Sequence, residues 1–319
     1  IFIIYTASVQ PAFLTLGSFA NLITQVAAYL PMALGIAGCI VLTGTDLSAG
    51  RISGLTAAVT AVALQKSDFA NKMFQNLPEV TFGWIFVTFL AVLGIGAIIG
   101  LVNGFFVAKF SLHPFIVTLS TQLITYGIIL WFFGLNGNNG QPISGLSKEY
   151  KDLVGGELFR LGNVAIPMYV LYAVVLVAIM WFVWNKMAFG KNMFAVGSNE
   201  EAANVSGVNV FFTVVGVFVL AGIMYAITGF IEGARIGSAA SYTGLNYESD
   251  AIAACVIGGV SFVGGTGKIG GIVVGVLLLQ IIFVGLNFLS VDQNLLYIIK
   301  GLIILLACAI DMRKYLARK

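Results

Sequence analysis

Residues 169–230 read "YVLYAVVLVAIMWFVWNKMAFGKNMFAVGSNEEAANVSGVNVFFTVVGVFVLAGIMYAITGF". Two apolar runs, each close to the ~20 residues that carry a helix across a ~30 Å hydrocarbon layer, enclose a polar insert. The insert, "KNMFAVGSNEEAANVSG" from Lys191 to Gly207, is too short and too small-sided to span anything, yet it carries helix start and stop signals. Runs of this kind, repeated, specify a bundle of membrane helices with the polar inserts outside the lipid.

Composition agrees. The 319 residues are 59% hydrophobic and only 9% charged, with a mean hydropathy of +1.01, values foreign to soluble domains. Barrel strands would alternate apolar and polar residues, whereas these runs are apolar throughout. The expected fold class is an all-α polytopic membrane protein. Apolar segments near 1–9, 22–43, 47–64, 83–107, 115–133, 164–184, 210–231, 250–264, 269–289 and 295–311 give ten candidate spans, the first incomplete and the eighth short. Residues 1–319 read as a single transmembrane domain, with 185–209 a cytoplasmic loop inside it. The opening "IFIIYTASVQ" reads as the tail of a first span and not as a signal peptide.

Cys39, Cys255 and Cys308 stand in apolar segments without metal-pair spacing, and His113 is the one histidine. No metal or redox chemistry is expected, and the cysteines read as small buried residues. No paired carboxylate or nucleophile–base set points to catalysis, and nothing points to nucleic acid. Basic residues favour cytoplasmic loops, so the tail "DMRKYLARK", with Arg313, Lys314, Arg318 and Lys319, places the C-terminus inside. Counting back puts the 185–209 loop, with Lys186 and Lys191, inside too, and the 65–82 and 134–163 loops outside.

Glycines recur every four residues at 96, 100 and 104 and again at 267, 271 and 275, a spacing that lets helix backbones approach closely in lipid. Each set falls on the third span of a four-span group. Each group also carries an acidic break between its first two spans: "TDLSAG" with Asp46, and "YESDA" with Asp250. The breaks fall on opposite membrane faces, the layout of an inverted-topology repeat.

Within the polar insert, Ser198 and Glu201 fit a capping box, and Glu200 and Glu201 complement the positive helix start. Gly207 supplies a left-handed stop. The expected helix has about two turns, roughly 12 Å, and is marginal without a partner surface. Ala202, Ala203 and Ser206 would let that surface come close. The insert is either a capped turn or a knob that transmits force from a soluble motor.

"GTGKIG" (265–270) matches a dinucleotide fingerprint in letters only, since it follows a membrane segment and no strand. Phe262 and Ile269 break the phosphate-loop pattern. No ATP site is therefore expected in this chain, and its energy must come from a partner or an ion gradient. Asp46 could be a substrate or proton site; alternatively Asp46 or Ser48 caps the next helix, with Arg51 pairing nearby. Glu232 and Arg235 are spaced as a helix-end pair or a gate latch. Lys300 stands alone in the tenth span, its stem long enough to reach the outer interface. Asn21, Gln25, Asn103 and Asn287 either line a weakly binding passage or bond between helices. No convincing set of aromatic and amide groups for a sugar is visible.

"FGKNMFAVGSNEEAANVSGVNV" resembles the cytoplasmic coupling loop of permease subunits in bacterial ABC importers for monosaccharides of the ribose and galactose type. "LTGTDLSAGRISGL", "PISG", "DAIAACVIGGVSFVGGTG" and "YIIKGLIILLACAID" resemble the same family in the same order, across almost the whole chain. One departure is Ser120, after "PFIVTL", where the family usually has Gly. The resemblance implies a ten-span permease of the bacterial inner membrane that pairs with a second copy of itself. Two cytoplasmic ATPase subunits, using ATP and Mg, would dock around Glu201, Ala202 and Gly207. A periplasmic or lipoprotein sugar-binding protein would deliver substrate to the 134–163 loop and to "EGARIGSAASYTGLNYESD" (232–250). The alternatives are an ion-coupled secondary transporter, or the same importer class carrying ribose, xylose or nucleosides in place of galactose.

Overall fold

The computed structural model describes residues 2–316, apart from the side chains of residues 293, 310, 312 and 314–316. Of the basic tail, Arg318 and Lys319 and the Lys314 side chain lie outside the described residues. In chain order the helices are α1 (Phe2–Val9), α2 (Leu16–Val41), α3 (Ala49–Ala63), α4 (Phe82–Phe110), α5 (Pro114–Phe133) and α6 (Lys148–Gly155). A hairpin, β1 (Glu157–Leu161) and β2 (Val164–Pro167), follows. Then come α7 (Tyr169–Lys186), α8 (Ala188–Ser198), α9 (Glu200–Val205), α10 (Val210–Ile236), α11 (Tyr247–Ile257), α12 (Ile269–Phe288) and α13 (Gln293–Leu316).

Among the described residues six helices, α2, α4, α5, α7, α10 and α12, are long and apolar enough to cross a membrane. The chain is thus a mostly helical, multi-pass membrane protein. Large apolar side chains such as Ile124, Trp131 and Leu305 point outward, where lipid takes the place of water.

The helices form two compact units, neither continuous in sequence. The first unit gathers Ile1–Thr43, Glu157–Ser206 and Ser249–Lys319. Its centre is α2, buried on every side from Leu30 to Val41, an environment that needs apolar residues all round. Against it lie α7 and α12. Gly271 and Gly275 of α12 sit on the backbone of α11: a Cβ there would stand 2.2 Å from the Gly258 oxygen and 2.0 Å from the Ala254 oxygen. Gly267, expected on the same face, precedes α12 instead. The hairpin is a two-stranded antiparallel sheet resting on the start of α2. Its exposed Arg160 donates to Glu157 at 2.7 Å, and this hydrogen bond holds the Glu157 carboxyl below its ordinary range.

The second unit comprises Gly44–Gly156 and Gly207–Glu248. Here α4 and α10 cross at backbone contact. Cβ atoms on Gly96 and Gly100 would fall 2.2 Å from the carbonyl oxygens of Gly222 and Phe218, so the repeating glycines do permit the close approach read from their spacing. The 134–156 segment is tied down: Ser147 caps α6, and the buried Tyr150 hydroxyl donates to the Phe230 carbonyl of α10. Ser120 lies on the exposed side of α5, where its hydroxyl bonds back to Ile116 at 2.9 Å. A side chain larger than Gly is accommodated there.

Candidate functional site

Three sites in the structure hold the residues singled out by sequence. The first is the polar insert, which folds into two helices. α8 presents Gly190, Met193, Val196 and Gly197 to the interior, and Phe194 packs edge-on against Trp184 with centroids 5.5 Å apart. Gly197 lies against the end of α2: a Cβ would stand 1.9 Å from the Val41 oxygen, the same oxygen that accepts a hydrogen bond from Gly265 N–H at 2.9 Å. α8 is therefore seated at once on the end of α2 and on the 258–268 loop.

α9 follows without an intervening loop and is a single exposed rod of 6 residues, about 9 Å long. It is shorter than the two turns expected, because α8 takes up Ser198. The Ser198 hydroxyl bonds back to the Phe194 carbonyl at 2.8 Å. Asn199 is the cap, its side chain accepting from Ala202 N–H at 2.8 Å. Glu200 and Glu201 occupy the first turn, where the free N–H groups favour negative charge. Ser206 bonds back to Ala202 at 2.8 Å, and Gly207 has φ +85, a left-handed stop as its position suggested. Ala203 alone is buried, while Val205 is 90% exposed.

The second site is a buried polar knot in the second unit, around the turn before α3. Asp46 Oδ1 accepts from both the backbone N–H and the hydroxyl of Ser48. Asn103 of α4 donates to Ser48 Oγ at 3.0 Å and accepts from the Thr121 hydroxyl of α5 at 2.6 Å. Thr118 closes the ring, donating to the Thr45 carbonyl at 3.3 Å and accepting from Leu47 N–H at 3.2 Å. Asn103, a candidate pathway residue by sequence, is thus completely buried as a tie between helices. Arg51 stacks on the Tyr126 ring at 4.2 Å and donates to the Ser241 carbonyl at 3.4 Å. Glu232 and Arg235 form the expected pair through two 2.7 Å bonds, and the Tyr247 hydroxyl donates to the same Glu232.

The third site is a cleft of about 200 Å³ in the first unit. Gln25 and Tyr29 line it from α2, Gln280, Phe283 and Asn287 from α12, and Tyr297 and Lys300 from α13. On each helix these residues recur at three- or four-residue steps and so share a face. Two of the amides predicted from sequence, Gln25 and Asn287, meet here; Asn21 lies one turn before Gln25, exposed, with its carbonyl bonded to Thr24.

Lys300 is not alone as expected. Its ammonium pairs with Asp250 at 2.8 Å and lies 4.4 Å from the Phe283 ring centroid. The aromatic-and-amide set that the sequence did not display is assembled from α2 and, some 250 residues later in the chain, the consecutive helices α12 and α13. The one linear signal was a polar or aromatic residue at each helical repeat.

Six apolar helices of spanning length among the described residues define a polytopic membrane protein. A family model described as "Branched-chain amino acid transport system / permease component" matches residues 18–308, and the chain belongs to that family of permeases. It is 45% identical to the galactose/methyl galactoside import permease protein MglC of Haemophilus influenzae and 46% identical to that of Escherichia coli K12. Each match covers 97% of this chain and 90% of the relative. The ribose import permease protein RbsC of E. coli K12 is 34% identical over 98% of this chain and 91% of its own length. No solved structure matches.

Proposed function

We infer that the chain forms the translocation pathway of an ATP-driven (ABC-type) importer for galactose and methyl galactosides in the bacterial inner membrane. The observation that carries this reading is the identity of 45–46% over 97% of the chain to galactose/methyl galactoside import permeases, against 34% to a ribose import permease. Delivery falls to a sugar-binding protein, and the work to a cytoplasmic ATPase with its own ATP and Mg. α9 is the handle on which that ATPase acts. Its support is the geometry: a capped, exposed rod with an outward valine, joined to α8, whose glycine face has no slack against α2 and the 258–268 loop. A push on the rod moves the whole seat as a rigid body.

Residues 1–319 act as one permease domain with 185–209 its coupling loop, and two copies pair to enclose the path. Ten spans result when α1, α3, α11 and α13 join the six long helices, with α9 and the C-terminus cytoplasmic. α3 has 15 residues and α11 has 11, about 22 and 16 Å, too short for the full ~30 Å layer. α3 follows the break at Asp46, α11 carries Asp250 in its own first turn, and each is the second span of its four-span group. Short helices at matching places in two halves support the inverted-repeat reading.

The test is uptake into proteoliposomes holding the permease, its ATPase and the binding protein encoded beside it. Galactose uptake that needs ATP, survives an ion uncoupler and is lost on Gly207→Pro or Glu201→Lys is expected. Uptake that follows an ion gradient and stops on Asp46→Asn would overturn it in favour of a secondary transporter.

A further inference from the structure

We propose that the cleft between α2, α12 and α13 is a low-affinity contact station for the sugar itself, with Asp250 positioning Lys300 as one of its donors. This rests on the import reading above and goes beyond it by assigning residues. A neutral hexose ring has two kinds of surface: a rim of hydroxyls, each both donor and acceptor, and C–H faces that are apolar. A site for it needs amides, which offer both donor and acceptor, beside flat apolar walls.

The cleft supplies both. Gln25, Gln280 and Asn287 bring three carboxamides, and Tyr29, Phe283 and Tyr297 bring three rings. Lys300 has three N–H donors, and the ion pair with Asp250 engages it on one side. Asp250 is 3% exposed and does not line the cleft, so it acts through Lys300: without it only ring contacts such as that with Phe283 would direct the flexible stem. The cavity of about 200 Å³ is smaller than the pockets of ~300–1,000 Å³ that take drug-sized ligands. Its size suits a monosaccharide, and its open side suits release.

The wild-type permease–ATPase complex in lipid nanodiscs, without binding protein, is exposed to millimolar D-galactose and examined by saturation-transfer NMR. Transfer to galactose but not to L-leucine is expected; no transfer to galactose overturns the proposal. In complete proteoliposomes, Gln280→Ala and Asn287→Ala each lower galactose uptake ~3- to 10-fold, the worth of one or two hydrogen bonds. They also change the galactose-to-glucose uptake ratio, because losing a hydroxyl contact affects epimers unequally.

Lys300→Met behaves likewise, and Asp250→Glu restores more of the wild-type ratio than Asp250→Ala. Variants that slow every sugar equally with an unchanged ratio would assign these residues a packing role and overturn the station. So would a phospholipid that copurifies with wild type and is lost in Lys300→Met. Wild-type vesicles that import no sugar defeat the import reading instead, a result distinct from imports that the cleft variants leave untouched.

Discussion

Asn103 illustrates how far one residue can be read from sequence. A lone amide in an apolar helix reads either as part of a pathway or as a bond between helices, because an unpaired polar group in lipid is costly. Its partners are Ser48, 55 residues away, and Thr121, 18 away, and no linear pattern connects them. Replacing Asn103 by Ala strips Ser48 of its donor and leaves the knot half satisfied, which costs about 1–3 kcal/mol. A lower unfolding temperature of the purified permease is therefore expected, with the galactose-to-glucose ratio unmoved. A changed ratio at full stability would return Asn103 to the pathway. Lys300 looked solitary only because Asp250, 50 residues earlier, lies on another helix.

Individual helices were easier to read than their ends. The apolar runs announced the long helices within a few residues, since period and length alone set them. The start of α9 was misplaced by one position because Ser198 and Asn199 are both good caps. What decides between them is α8, which the polar stretch concealed: its buried face continues to Gly197 and draws Ser198 in as a last turn. Asn199→Ala should therefore remove the cap, at a cost of about 0.5–2 kcal/mol to α9. In the reconstituted complex ATP hydrolysis would continue while sugar uptake falls. Ser198→Ala should be nearly silent, and the reverse ranking would restore the original register. The break between α8 and α9 at Asn199 was not legible at all, because capping residues and a helix interior use overlapping alphabets.

For the whole molecule, sequence disclosed the class and not the assembly. The glycine steps at 96, 100 and 104 show that α4 must meet a close neighbour; only the coordinates show that the neighbour is α10, more than 100 residues later. Of the two acidic breaks, Asp46 stands in the turn before α3, whereas Asp250 stands in the first turn of α11. Sidedness is testable through the exposed end of α9. Cys39 and Cys255 are buried as expected but Cys308 is only half-buried, so with Cys308 replaced by Ser, Val205→Cys should react with a membrane-impermeant maleimide in inside-out vesicles, and the bound ATPase should block it. Labelling from the periplasmic face would invert the topology and remove α9 as a handle.

The interleaving of the two units also bears on how the protein is made. α2 leaves the ribosome early, but α7 and α12, against which it is buried, arrive some 130 and 230 residues later. Until residue 288 has emerged, the first unit cannot close. During synthesis α2 must wait in the bilayer with its polar face, Gln25 included, turned to lipid or to a chaperone. Chains interrupted before residue 249 would keep that face bare, and quality-control proteases would find them by it.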